Sequence, residues 1–151
     1  MKEKSKDEIY CTQKFLNDKF AFEFPMINYW ENNGKPYRYV YGMNQNENTP
    51  YSITKMDLMN PMDIKEQVYD NGETAIIPSE PVFVPRPNAE SEDDGVVLSM
   101  VMTDSDNDFL SIIDGKTMKE VAKATMPSHV KGAFTFHGFF ADHQMFEGLC
   151  K

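Results

Sequence analysis

Gly95-Val-Val-Leu-Ser-Met-Val-Met102 is followed, after a polar stretch, by Phe109-Leu-Ser-Ile-Ile113 and then by Asp114-Gly115. Both apolar runs are short, and the first is rich in β-branched residues, which suit a pleated, half-buried surface. The Asp-Gly pair between one run and the next is hairpin chemistry. The segment after it, Met118 to Met126, is open to two readings. Met118, Val121, Ala122 and Thr125 fit a helix face, but the preceding turn favours a return strand, and strand is the reading adopted. Upstream, Val82-Phe-Val84 lies between Pro81 and Pro85, and an acidic turn, Glu90 to Asp94, leads into Gly95. Strands near 82–84, 96–103, 109–113 and 119–126 at this even spacing describe one propeller blade or one sheet of a sandwich.

Working outward, Tyr37-Arg-Tyr-Val-Tyr41 alternates and stops at Gly42. Tyr51 to Met56 and Ile64 to Tyr69 are further β-prone runs, separated by Asn, Pro and Asp clusters of the kind found in turns. The stretch 37–69 therefore reads as most of a preceding blade. Ala133-Phe-Thr-Phe-His-Gly-Phe-Phe140 reads as the innermost strand of a following one. Residues 1–21 differ: Ile9, Phe15, Leu16 and Phe20 have a loose helical spacing, compatible with a short helix or a disordered entry segment. The expected organisation is an N-terminal segment over 1–21, an all-β body over 22–141 and a tail over 142–151.

The chain has 151 residues, of which 40% are apolar and 13% aromatic, enough to pack a core. The formal charge of −9 argues against nucleic acid and against electrostatic attraction to anionic lipid. Cys11 and Cys150 stand near opposite ends without a CxxC or Cys/His pattern, as free thiols in a reducing compartment would. The charged start has no apolar stretch behind it, so it is not a secretory signal, and no window reaches the roughly 20 apolar residues of a membrane span. A cytoplasmic protein, peripheral to a membrane at most, is expected.

Three histidines carry most of the candidate chemistry. His129 follows Pro127-Ser128, and His143 lies in a polar tail, so both read as solvated. His137 sits among Phe134, Phe136, Phe139 and Phe140, next to Gly138. Such a histidine is commonly a satisfied core residue, although the adjacent glycine admits close approach of backbone or ligand. Asp104-Ser-Asp-Asn-Asp108 opens like a calcium loop, but Phe109 and Gly115 stand where the glycine and the bidentate glutamate are needed, leaving a polar hairpin tip. Glu23 and Glu80 lie in apolar, proline-marked strand entrances. They either face water or bond the outer nitrogen of metal-bound histidines, since a buried carboxylate is costly unless paired.

Several stretches in order resemble the carotenoid cleavage oxygenases, most of all their animal branch. They are Phe22-Glu-Phe-Pro-Met-Ile-Asn-Tyr29, Gly34-Lys-Pro-Tyr-Arg-Tyr-Val-Tyr-Gly42, Ser79-Glu-Pro-Val-Phe-Val-Pro85, Glu92-Asp-Asp-Gly-Val-Val-Leu-Ser99, Phe109 to Val121 and Phe134-Thr-Phe-His-Gly138. The resemblance implies a seven-bladed β-propeller, of which this chain would hold about two blades and the start of another. It implies Fe(2+) on the axis, held by four histidines of which His137 is one. It places Glu23 and Glu80 behind the metal-bound imidazoles and Phe136 on an apolar substrate tunnel. The implied reaction is oxidative cleavage of a carotenoid or apocarotenoid by O2 to aldehydes, with retinoid isomerohydrolysis on the same iron as an alternative.

No histidine precedes His129, so the other three ligands have no candidates here. The chain is therefore expected to be a C-terminal portion of the enzyme, inactive and poorly soluble alone, with peripheral membrane association left open for the full-length protein. A non-catalytic β module that binds a partner or apolar ligand is the competing reading.

Overall fold

A computed structural model describes residues 9–17, 22–45, 50–70, 76–104, 107–133 and 136–141. Its elements are β1 (Phe22–Met26), α1 (Tyr29–Asn32), β2 (Tyr39–Asn44), β3 (Ser52–Asp57), β4 (Asn60–Val68), β5 (Ile76–Pro78), β6 (Val82–Pro85), β7 (Gly95–Thr103), β8 (Phe109–Asp114) and β9 (Glu120–Thr125). All ladders are antiparallel. The first sheet has the order β1-β2-β3-β4, and the second runs β5-β7-β8-β9 with β6 also paired to β7.

The strand rhythm read from the sequence is thus present, and the ambiguous segment after Gly115 is a strand. Met118 N–H donates to the Asp114 carbonyl, and the Asp114 side chain accepts from Thr117, which closes a loop wider than a two-residue turn. Along β7 every second residue is buried, Gly95, Val97, Ser99 and Val101, and β8 repeats this with Phe109, Ser111 and Ile113. That two-residue period sends one face of the sheet into the core.

The two sheets meet through side chains. Tyr41 of β2 stacks on Phe83 of β6 with ring centroids 5.2 Å apart. Its hydroxyl donates to the Gly115 carbonyl at 3.1 Å. Tyr69, just beyond β4, donates to Ser111 of β8 at 2.8 Å. Burial pushes both phenols well above the ordinary tyrosine range. Ile53, Met43, Val97, Val101, Ile113 and Met118 fill the space between.

Two expectations change. The acidic turn Glu90–Asp94 is solvated only at its start: Glu90 and Ser91 are exposed, whereas Asp93 and Asp94 are buried. Glu92 accepts from the backbone N–H groups of Arg38 and Tyr39 at 2.9 and 2.8 Å. Asp93 pairs with Lys55, and Asp94 with Arg86 and Lys116. Each charge is thus matched by a cation or a backbone donor, which is what makes its burial tolerable.

Residues 136–141 form no strand. The N–H of Gly138 there donates to a carboxylate instead of to a ladder. Residues 9–17 form no helix, and Ile9 and Phe15 are exposed there without a surface to pack against. The remainder of segment 1–21, together with His143, Cys150 and the tail from 142, lies outside the described residues.

Candidate functional site

The site begins at a break in a strand. β5 and β6 lie end to end along β7, pairing with Val101–Thr103 and Gly95–Leu98 respectively. Ser79-Glu80-Pro81 separates them. Pro81 has no N–H to give a ladder, so a break here sacrifices no donor. Ser79 stitches the gap: its N–H donates to the Met100 carbonyl at 2.7 Å, its carbonyl accepts from Ser99 Oγ at 2.9 Å, and its Oγ accepts from Met100 N–H at 3.1 Å. Glu80 is held between these fixed points and is 7% exposed.

Glu80 reaches residues far along the chain. Its Oε1 lies 3.1 Å from His137 Nδ1, and its Oε2 accepts from Gly138 N–H at 2.8 Å. An ionised carboxylate can only accept, so against it Nδ1 is the donor and Nε2 is the ring atom left for another partner. The His137 side chain is 82% exposed, so that nitrogen is sterically open. This is not a satisfied core histidine, and Glu80 does not face water. Gly138 is not required by crowding, because a Cβ there would meet only Val82 at an ordinary 3.8 Å.

Glu23 behaves differently. It is exposed on β1, opposite Met43, and makes no hydrogen bond to His137. Its neighbour Phe24 comes to the site instead. The Phe24 ring meets His137 edge-on at 6.4 Å and Phe136 at 6.1 Å. The β1–β2 register shifts between Glu23 and Met26, and Phe24 has φ +51° within that irregularity. A non-glycine residue in the left-handed region is strained, and such strain gathers at functional sites. Sequence reading missed Phe24. The proline after it and the crowding of aromatics around it were the only signals. Phe136, Phe139 and Phe140 are exposed, which leaves an aromatic surface around the imidazole.

The described residues hold no group of three or more His, Cys, Asp or Glu able to bind a metal ion. His137 has the right donor, fixed by a carboxylate as metal-bound imidazoles are. It fits as one ligand of a shared site and not as a site by itself. His129 is exposed on a turn. A groove of about 1170 Å³ lies between α1 and the loop after β6, lined by Trp30, Pro85, Arg86 and Phe140 among others. Neither Glu80 nor His137 lines it. No described helix is long and apolar enough to cross a membrane.

Antiparallel all-β sheets of this kind are the fold of the carotenoid oxygenases, which are β-propellers. Residues 2–142 match the model of the family described as retinal pigment epithelial membrane protein, and the chain belongs to that family. It is 40% identical over 141 residues to a β,β-carotene 15,15'-dioxygenase of Gallus gallus, covering 91% of this chain and 25% of the relative. It is 36% identical over 140 residues to a mitochondrial carotenoid-cleaving dioxygenase of Mustela putorius furo, covering 88% and 25%. The structure of a cobalt-substituted Synechocystis apocarotenoid oxygenase superposes with a TM-score of 0.61 at 28% identity, over 71% of this chain and 23% of that one. The chain thus spans about a quarter of the length of the relatives it matches.

Proposed function

We propose that this chain is part of an Fe(II)-dependent dioxygenase that cleaves a double bond of a carotenoid or apocarotenoid, adding one oxygen atom of O2 to each carbon to give two aldehydes. His137 is one iron ligand, through Nε2, and Glu80 holds its ring. The observation that carries this reading is the bond between His137 Nδ1 and Glu80 Oε1, made while the opposite ring edge stays open.

Neutral imidazoles suit Fe(II). When bound, the iron would supply the dioxygen chemistry that side chains lack. The chain's own residues fix the ligand and shape the walls. Glu80 sets the tautomer and the ring direction. Phe24 limits ring rotation from the side, and Phe136 offers apolar surface to a polyene. Glu23 is proposed to act behind a second imidazole, one outside the described residues. The other ligands are likewise to be sought outside them. One imidazole holds Fe(II) too weakly for turnover, so the chain alone is proposed to be inactive. That the two closely matching relatives named above are dioxygenases favours cleavage over hydrolysis of a retinyl ester.

The test is a chimera in which this chain replaces the matching quarter of the Gallus gallus enzyme. It should retain iron and cleave β,β-carotene. His137→Ala in it should lose bound iron and turnover together, while His129→Ala keeps both. Equal iron in the His137→Ala chimera, or no iron with His137 intact in a folded chimera, overturns the assignment.

A further inference from the structure

We propose that Asp108 is a positioning residue for His137, mooring the strap that carries the imidazole from β9 to Glu80; this rests on the reading of His137 as a metal ligand. Asp108 immediately precedes β8 and is 2% exposed. Its carbonyl accepts from Met126 N–H at 2.8 Å, where the chain leaves β9. Its Oδ1 accepts from Thr103 N–H at 2.8 Å, and its Oδ2 accepts from Gly132 N–H at 2.8 Å. Two backbone donors thus satisfy a buried carboxylate, the second of them on the strap.

Gly132 places the strap against Asp108 and Met100. A Cβ there would sit 3.4 Å from both Asp108 Oδ2 and Met100 Cγ, so the strap backbone packs closely against the carboxylate and the β7 side chain. Five and six residues further on, His137 and Gly138 meet Glu80. The strap is therefore tied at two points by two carboxylates that sit on different strands' margins.

Chain length shows what the first tie contributes. From Thr125, at roughly 3.5 Å per residue, the twelve steps to His137 could reach about 40 Å, whereas the five steps from Gly132 reach at most about 17 Å. Mooring Gly132 shrinks the volume open to the imidazole by more than about tenfold, raising its effective concentration at Glu80. Asp108 touches neither ring nor substrate, so its part is to place another residue. The run Asp104–Asp108 is then more than a polar hairpin tip, because its last carboxylate is an internal anchor.

The test uses the chain itself and needs no metal. Amide exchange is followed at Gly138, with Val97 and Ile113 as core references, and His137 ring nitrogen shifts report the tautomer. Asp108→Asn keeps one side-chain acceptor and turns the other into a donor. Gly132→Pro removes the strap's donor and leaves the Asp108–Thr103 bond intact. Both variants should lower Gly138 protection at least tenfold and move the His137 ring nitrogens toward the solvent pattern, with Val97 and Ile113 unchanged. If Asp108→Asn also loosens the core, Gly132→Pro decides. Unchanged Gly138 protection and ring shifts in Gly132→Pro overturn the proposal. Loss of docking in these variants, beside a His137→Ala chimera that keeps its iron, would leave the mooring standing and the ligand assignment refuted.

Discussion

Lys55 Nζ lies 2.5 Å from Asp93 Oδ2 and 2.9 Å from the carbonyl oxygen of Gly115, so one cation from the first sheet is held by two segments of the second. The Tyr39 ring covers it at 4.0 Å. Burial lowers the Lys55 ammonium despite the opposing pull of Asp93. Removing one partner of a buried pair strands the other charge. Lys55→Met should therefore cost roughly 3–5 kcal/mol, and Lys55→Met with Asp93→Leu distinctly less. Urea unfolding of the four members of the cycle measures both, and equal losses in the single and double variants would contradict the pairing.

The same pair predicts acid behaviour. Burial pushes the Asp93 carboxyl up, but bonds from Lys55 and Ser91 outweigh it and hold the group below the ordinary aspartate range. A carboxyl depressed in the folded state stabilises above its unfolded value, about 3.9, and that contribution fades as pH falls through the lower folded value. Wild type should exceed Asp93→Asn in stability at pH 7. The difference should shrink below about pH 4. Denaturant midpoints across that window provide the check; a gap that widens on acidification would reverse the assigned sign.

Phe24 offers a backbone test. At an ordinary strand position glycine is less stable than alanine. At φ +51° the order should invert, because an L-residue strained in the left-handed region costs roughly 1–2 kcal/mol that glycine avoids. Phe24→Gly should thus melt above Phe24→Ala, although both lose the ring. The usual order, alanine above glycine, would mean that this position relaxes in solution.

Gly95 is constrained by space. A Cβ there would fall within 2.8 Å of the Phe83 ring and 2.9 Å of Pro85 Cα, and against the Val84 carbonyl. Gly95→Ala should cost about 1–3 kcal/mol by overpacking. Gly34 has open space around its Cβ position but a φ of +74°, so Gly34→Ala there reports backbone strain alone. Thermal melts of the two alanine variants separate steric crowding from dihedral strain.

Much of the fold was legible because it repeats a two-residue period. β7 as far as Met102, and the whole of β8, alternate buried and half-buried positions, and their apolar runs show it. β5 was not legible: three residues, Ile76–Pro78, are too few to show a period. The acidic junction was misread since Asp93 and Asp94 look like solvated turn residues until Lys55, Arg86 and Lys116 arrive from elsewhere in the chain. The site divides the same way. The proline-marked entrance and the aromatic context singled out Glu80 and His137, but their bond joins positions 57 residues apart and only folding reveals it. Phe24 was missed for a related reason, as nothing in its neighbours foretells a positive φ.

The first sheet's ladders, β1 to β2, β2 to β3 and β3 to β4, each join neighbours along the chain. Nearly the whole second sheet is wound the same way. Loops that short close at little entropic cost, so each half can zip up hairpin by hairpin. The contact of the Tyr41 ring with Phe83 joins the two sheets across a long stretch of chain, so its formation is expected to be the slow step. A burial probe at Tyr41 should report a slower phase than backbone dichroism does.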